Sequence, residues 1–139
     1  PDYFEKASAA LAEMFRQVGT PIFAEEETGS ACTADEPCRL LKRGMIVRHL
    51  VLPGQTKDSK KVLRFLHETY GDNIYVSILN QYTPLPHVTG VSELNHRVTN
   101  EEYDRVLRFV ERLGIRNGFI QEGEAAAESF IPEFDCRGL

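Results

Sequence analysis

The sequence predicts an α/β fold with a parallel sheet. Helix and strand patterns alternate along the 139 residues, in the order helix, strand, helix, strand, helix, strand, which is typical of repeated βα units. Residues 44–52 and 73–79 are almost continuously apolar and rich in β-branched side chains. Runs of this kind indicate strands that are buried on both faces of a parallel sheet. The length predicts one domain over residues 1–139.

The first elements precede the long apolar strands. Apolar residues recur at helical spacing over 3–18 and predict a helix, with Asp2 and Glu5 spaced as a capping box. A short strand is predicted at 21–24. Residues 25–43 have no periodicity and collect glutamate, glycine and proline, so we expect an irregular excursion there.

The first βα unit begins with the apolar run 44–52, which Pro53-Gly54 ends. A helix follows over 56–70, because its apolar residues form one stripe and Gly71 stops the pattern. The next strand is 73–79. These elements predict two adjacent strands of one sheet, joined by a crossover helix.

The third helix follows an irregular stretch at 80–98. Thr99 and Glu102 have the spacing of a capping box at the start of the third helix, and a third strand is predicted at 118–121. The apolar residues of the tail 125–139 are expected to pack back as an arm.

Composition narrows the possible partners and compartments. The net charge of −5, without a basic stripe, argues against nucleic acid or an anionic membrane as main partner. No apolar run approaches the roughly 20 residues of a spanning helix. An odd and small number of cysteines (Cys32, Cys38 and Cys136) fits a reducing cytoplasm, and their spacing matches no standard zinc motif.

The strand ends carry the candidate ligand groups. In parallel α/β folds, ligands bind at the carboxyl ends of strands. Those ends are followed by 52–55, 80–83 and 121–123, which are rich in amides, hydroxyls and glycines. They suit hydrogen bonding to a polar ligand better than acid–base chemistry. Any one of them alone is better explained as an ordinary polar loop, and three in register are stronger evidence for a ligand site.

Arg48 interrupts an apolar strand, and a buried guanidinium must be paired. It either clamps a carboxylate or phosphate of a ligand or pairs with an acidic residue of a neighbouring strand, and spacing does not separate the two interpretations. Strand alternation points His49 to the opposite face, where a packed histidine is the simpler interpretation.

Residues 47–54, VRHLVLPG, resemble the VRH-x-VxPG strand and turn of the glycyl-radical-enzyme activating enzymes, which belong to the radical S-adenosylmethionine superfamily. Together with 80–84 (NQYTP), 97–103 (RVTNEEY) and 118–123 (GFIQEG), the chain is similar to the branch described as homologues of pyruvate formate-lyase activating enzyme. The resemblance covers most of the chain except 25–42, which resembles an insertion.

The resemblance implies the C-terminal half of a partial (β/α)₆ TIM-like barrel, with three or four parallel strands in this chain. In that family the N-terminal half carries a CxxxCxxC loop that holds a [4Fe–4S] cluster. The cluster cleaves S-adenosylmethionine reductively, and the resulting radical abstracts hydrogen from a glycyl-radical enzyme. The motif is absent here, so the resemblance implies no catalytic or metal-binding residue, no tightly bound cofactor and no activity of this chain alone.

The resemblance also implies which residues adjoin S-adenosylmethionine in the complete protein. Arg48 and Leu50 match family positions beside the cofactor, and Pro53-Gly54 shape the turn. The family's histidine beyond the next strand is missing, because the first histidine there is His87. The predicted cofactor-binding set is Arg48, Leu50, Leu52, Pro53, Gly54, Asn80, Gln81 and Tyr82.

Two functional hypotheses therefore remain open, beside a domain that has lost its ligand site. The chain, which opens on Pro1 rather than Met, is either the rear half of a radical S-adenosylmethionine enzyme or a stand-alone, non-catalytic module that binds a small molecule or docks a partner. The first hypothesis predicts the N-terminal half of the barrel and a glycyl-radical enzyme as partners. It also predicts that the sheet face away from the helices is covered by residues 25–43, by the C-terminal arm or by a second copy of the chain.

Overall fold

The computed structural model describes residues 2–24, 40–84 and 90–121. The helices are α1 (Tyr3–Val18), α2 (Thr56–Tyr70) and α3 (Asn100–Leu113). The strands are β1 (Ile22–Phe23), β2 (Leu41–Arg43), β3 (Ile46–Leu50), β4 (Tyr75–Leu79) and β5 (Gly118–Ile120). Short 3₁₀ turns lie at Gly71–Asn73 and Ser92–Leu94.

β3, β4 and β5 form a three-stranded sheet in that order, and both pairings are parallel. Val47 lies opposite Val76, which lies opposite Gly118. α2 connects β3 to β4, and α3 connects β4 to β5. The predicted α/β alternation and parallel sheet are confirmed.

The core lies between this sheet and the pair α2 and α3. Leu63 and Leu66 of α2 and Val106 of α3 are fully or almost fully buried, as is Ile78 of β4. Burying a side chain of this size contributes about 1.5–3 kcal/mol. α1 packs on α2 through aromatic rings, with the Phe15 and Tyr70 centroids 5.2 Å apart.

The sheet face away from α2 and α3, here called the open face, corrects one prediction. Ile46, Arg48 and Leu50 are exposed on it, so β3 is not buried on both faces. The apolar run is instead explained by one face that packs on helices and one that carries exposed apolar residues. Backbone alternation and register give the open face its members: Ile46, Arg48, Leu50, Tyr75, Ser77, Leu79 and Phe119.

Aromatic rings occupy the amino end of the open face. Tyr75 stacks on Phe119 with centroids 5.6 Å apart, and Phe23 of β1 meets Tyr75 edge-on at 6.0 Å. The β1–β2 hairpin therefore reaches this end of the sheet. The rest of the face, toward the carboxyl ends of the strands, carries Arg48, Ser77 and Leu50.

One predicted irregular segment and one predicted cap differ from the structure. Residues 41–43 of the predicted irregular excursion form β2, because they pair antiparallel with β1. The remainder of the excursion, at 25–39, and the predicted C-terminal arm lie outside the described residues. Asp2 makes no side-chain cap, since its carboxylate pairs with Lys6 at 2.8 Å.

Within residues 2–24, 40–84 and 90–121, no helix combines the length and the apolar character needed to cross a bilayer.

Candidate functional site

The turn after β3 is a tight reversal over Leu52–Gln55. The Gln55 N–H donates to the Leu52 carbonyl at 3.1 Å, and Gly54 has φ of +74°. Proline in second place and a positive-φ glycine in third are what a type II turn requires. Pro53 is fully buried and Gly54 is exposed. The predicted Pro53-Gly54 turn therefore forms, and it leaves the Gly54 N–H available to another element.

Glu102 in the first turn of α3 accepts that N–H. The Gly54 N–H donates to Glu102 Oε1 at 2.8 Å, while Glu102 Oε2 accepts from the Thr99 N–H at 3.0 Å and lies 3.1 Å from the Thr99 hydroxyl. The Glu102 N–H donates back to Thr99 Oγ1 at 3.2 Å. The predicted capping box is confirmed, and the same carboxylate fastens α3 to the turn after β3.

The environment of Glu102 favours its ionised form. The hydrogen bond from the Thr99 N–H lowers the pKa of the Glu102 carboxyl below its usual value of 4.5, and the Gly54 N–H acts in the same direction. Burial opposes this by raising the pKa. A carboxylate at a helix N-terminus is also stabilised by the helix dipole. The charge therefore serves the structure, and Glu102 is not suited to act as a proton donor near neutral pH.

The ends of β4 and β5 are joined by side-chain amides. The Asn80 N–H donates to Gln121 Oε1 at 3.1 Å, and Gln121 Nε2 lies 3.4 Å from Gln81 Oε1. The Tyr103 hydroxyl of α3 donates to the Ile78 carbonyl at 2.9 Å and accepts from the Gln121 N–H at 3.2 Å. The predicted neighbours Asn80 and Gln81 are thus brought together with Gln121 at one edge of the sheet.

Two polar atoms near this edge are buried without a hydrogen-bond partner among the described residues, Asn80 Oδ1 and His49 Nε2. Buried polar atoms of this kind are uncommon, because each loses its hydration without replacement. His49 is half-buried on the helix side of β3, as strand alternation predicts. Burial lowers the pKa of His49 below 6.5, while the Asp58 carboxylate acts in the opposite direction.

Arg48 is exposed on the open face, opposite Ser77 of β4. The premise that its guanidinium is buried is therefore wrong, because this face of β3 is not packed by α2 or α3. Within that part of the chain no carboxylate forms an ion pair with Arg48. The described structure thus gives no support to the structural ion pair and leaves the guanidinium accessible to an anionic ligand.

The other predicted cofactor-binding residues have separate surroundings. Leu50 is exposed on the open face, and Leu52 is half-buried in the turn. The Tyr82 hydroxyl donates to the Leu94 carbonyl at 2.9 Å, so it holds the Ser92–Leu94 turn. Tyr82 can offer a ligand only its remaining acceptor capacity and its ring.

A [4Fe–4S] cluster and S-adenosylmethionine fit this chain differently. All three cysteines lie outside the described residues, and within those residues no group of three His, Cys, Asp or Glu side chains could hold a metal ion. The described residues therefore supply no ligand set for the cluster, and the sequence lacks the CxxxCxxC motif. By contrast, the exposed Arg48 guanidinium is chemically suited to an anionic group such as the carboxylate of S-adenosylmethionine.

A groove between α2 and α3 lies away from this edge. Its volume is about 320 Å³, and one acidic and four basic side chains line it: Lys60, Arg105, Arg108, Glu111 and Arg112. Arg64 and Lys60 also lie over the Phe109 ring, at 5.3 and 5.9 Å from its centroid. The sequence prediction of no basic stripe missed this basic groove, although Arg105, Arg108 and Arg112 recur at helical spacing on α3 and Lys60 of α2 joins them.

Sequence reasoning also missed the residues that organise the carboxyl edge. Glu102 was predicted only as a cap, and Tyr103 only as part of an apolar stripe. The available signal was their position, because both lie in the first turn of a helix that starts beside the strand ends. Gln121 is predicted as the last residue of the third strand and the first of a strand-end segment, without its contact to Tyr103, and it directly follows β5.

Comparison with known proteins supplies no relative for this fold and site. No protein-family model, no curated protein and no solved structure matches the chain.

Proposed function

We propose that this chain is the C-terminal part of a radical S-adenosylmethionine enzyme of the pyruvate formate-lyase activating type, and that its strand ends bind part of S-adenosylmethionine. The observation that carries the proposal is the meeting of three polar strand-end segments at one edge of a parallel sheet. Two of them, 47–54 and 80–84, contain the predicted cofactor-binding residues, and the third supplies Gln121.

Residues of these segments would bind different parts of S-adenosylmethionine. Arg48 carries the positive charge that an amino-acid carboxylate requires, and it projects from the exposed side of β3. Asn80 Oδ1 is a buried acceptor without a partner among the described residues, and an N–H or hydroxyl of adenosine would reach it only by displacing neighbouring side chains. The Leu50 side chain, exposed beside Arg48, offers apolar area to a base.

The open face supports the larger architecture in this proposal. In a partial (β/α)₆ barrel the face away from the helices lines the interior, and the N-terminal half of the barrel continues the sheet. Here that face carries aromatic rings at the amino end and Arg48 nearer the carboxyl ends. The proposal places the protein in the cytoplasm, with its N-terminal half and a glycyl-radical enzyme as partners.

The chemistry of the complete enzyme would come from groups that this chain does not hold. S-adenosylmethionine, when bound beside a reduced [4Fe–4S] cluster, supplies a radical that abstracts hydrogen. This chain's residues would hold the cofactor's amino-acid and adenosine groups in place. The same proposal predicts a CxxxCxxC motif upstream in the reading frame and about four irons per full-length chain after anaerobic reconstitution.

The test is calorimetric titration of this chain with S-adenosylhomocysteine, which carries the same carboxylate, ribose and adenine. We expect measurable binding that Arg48→Ala weakens ten- to hundredfold, since a hydrogen bond to a charged group contributes about 1.5–3 kcal/mol. Arg43→Ala is the matched control, because Arg43 is also an exposed strand arginine but lies in β2. Equal affinities of the two variants, with both folded, would refute the role of Arg48.

The basic groove favours the second candidate, a non-catalytic module that docks an acidic segment of a partner. Arginine side chains on one surface bind carboxylates, with an affinity that falls as salt rises. Under this alternative the chain binds a polyglutamate peptide rather than S-adenosylhomocysteine. Arg108→Glu then abolishes binding, whereas Arg48→Ala leaves it unchanged.

A further inference from the structure

We propose that Glu102 and Tyr103, consecutive residues in the first turn of α3, are positioning residues that hold the three strand-end loops in their binding geometry. The proposal deepens the proposed function and rests on it for the identity of the ligand. Neither residue belongs to the set expected to touch the cofactor. Their role is to fix the segments that do.

The two side chains reach the ends of all three strands. Glu102 accepts the N–H of Gly54, in the turn after β3, at 2.8 Å. The Tyr103 hydroxyl donates to the carbonyl of Ile78, the second-last residue of β4, at 2.9 Å. It also accepts the N–H of Gln121, which follows β5, at 3.2 Å. One helical turn therefore connects loops that are far apart in sequence.

Both residues are buried, with 9% of Glu102 and 6% of Tyr103 exposed. A buried carboxylate with three hydrogen bonds from its surroundings has little freedom to move. The Gly54 contact is not needed for capping, because Thr99 and the first turn of α3 complete the capping box by themselves. The Glu102–Gly54 hydrogen bond therefore adds a connection between elements to an ordinary helix cap.

Tyr103 acts through Gln121. The Gln121 main chain is held by the Tyr103 hydroxyl, and the Gln121 side chain accepts the Asn80 N–H at 3.1 Å and meets Gln81. The Gln121 N–H also donates to the Ile78 carbonyl at 3.3 Å, so loss of the hydroxyl would remove one of its acceptors and loosen the backbone from which this amide network starts. The orientation of Asn80, whose Oδ1 is the unpartnered acceptor, depends on that network.

The experiment compares Glu102→Ala and Tyr103→Phe with Thr99→Ala as matched control. Thr99→Ala removes the capping hydroxyl but keeps the Gly54 N–H on Glu102 Oε1. We expect S-adenosylhomocysteine to bind about tenfold more weakly to Glu102→Ala and severalfold more weakly to Tyr103→Phe. The affinity of Thr99→Ala should stay within about twofold of the original chain, although its stability falls.

Backbone amide exchange supplies a second readout that needs no ligand. The Gln55 N–H closes the turn onto Leu52, so its exchange should accelerate in Glu102→Ala and not in Thr99→Ala. The Asn80 N–H should exchange faster in Tyr103→Phe alone. Tyr103→Phe keeps the buried ring, so it tests the proposal even where Glu102→Ala does not fold.

The outcomes separate this proposal from the proposed function. If the original chain binds no S-adenosylhomocysteine, the proposed function fails and the exchange of Gln55 and Asn80 alone decides the positioning role. Unchanged exchange at both amides would overturn it. The positioning role would also be overturned if the affinity for S-adenosylhomocysteine fell as much in Thr99→Ala as in the other two variants. All three affinities would then report only the loss of stability.

Discussion

Glu102 and His49 are the two residues whose ionisation in the fold links stability to pH most directly. Hydrogen bonds from Thr99 and Gly54 lower the pKa of Glu102, and burial lowers the pKa of His49. The two shifts act in separate windows, because the usual pKa values are 4.5 for the glutamate and 6.5 for the histidine. In each case the unfolded chain takes up the proton first as the pH falls.

The free energy of unfolding should therefore decrease in two steps on acidification. Glu102 contributes stability above pH 4.5, which is lost as the pH falls through its lower folded pKa. His49 favours folding fully above pH 6.5 and progressively less down to its folded pKa. Urea unfolding from about pH 7.5 to about pH 3 measures both steps.

Variants assign the two steps to their residues. Glu102→Gln should remove most of the lower step and leave the upper one. His49→Leu should remove the upper step, because an apolar side chain of similar size has no proton to bind and leaves no unpartnered nitrogen in the described surroundings. An upper step that persists in His49→Leu would assign it to another group.

Among the elements, α3 is the best specified at both ends. Its N-terminus has the complete capping box, and Gly114 at its C-terminus has φ of +82° and donates to the Val110 and Glu111 carbonyls. α1, by contrast, has no side-chain cap at Asp2. The clearer sequence signals for helix ends therefore belong to α3, whose first turn connects the strand ends.

Gly114→Ala should lower the free energy of unfolding by about 1 kcal/mol, because a Cβ is disfavoured in the left-handed region. No atom lies within 4 Å of the added Cβ, so the loss is conformational rather than steric. Gly90→Ala is the control, since its φ lies outside that region and its Cβ also has free space. Urea denaturation of the two variants measures the difference, and equal stabilities would contradict the prediction.

The sequence predicted most helices and strands, and the failures concern how these elements pack on one another. Gly71, Gly114 and the Thr99–Glu102 pair mark helix ends by rules of short range, and these were correct. Burial of Arg48 depended on what covers β3, which is a tertiary fact that an apolar run does not contain. The Glu102–Gly54 and Tyr103–Gln121 contacts likewise join residues that no spacing rule relates.

At the scale of the molecule, the sheet is asymmetric. One face is packed by α2 and α3, and the other exposes apolar side chains of β3. Apolar area of this kind promotes association when it is contiguous. β3 is also an edge strand of the described sheet, which leaves backbone groups on its outer side available for pairing.

We expect the isolated chain to self-associate through this face. Ile46→Ser and Leu50→Ser together should shift sedimentation toward the monomer, because they remove exposed apolar area beside the edge of β3. Met14→Ser is the matched control, since Met14 is 46% exposed and Ile46 is 45% exposed, but Met14 lies on α1. A chain that sediments as a monomer at every concentration, or one for which Met14→Ser has the same effect, would contradict this.

The parallel register has a consequence for how the chain reaches this structure. Val47 pairs with Val76 across the whole of α2, and Val76 pairs with Gly118 across the whole of α3. Each pairing must close a long connection before its hydrogen bonds form, so loop-closure entropy opposes the sheet far more than the helices. The strand ends that make up the candidate site therefore depend on contacts of long sequence separation, such as the 48 residues between Gly54 and Glu102.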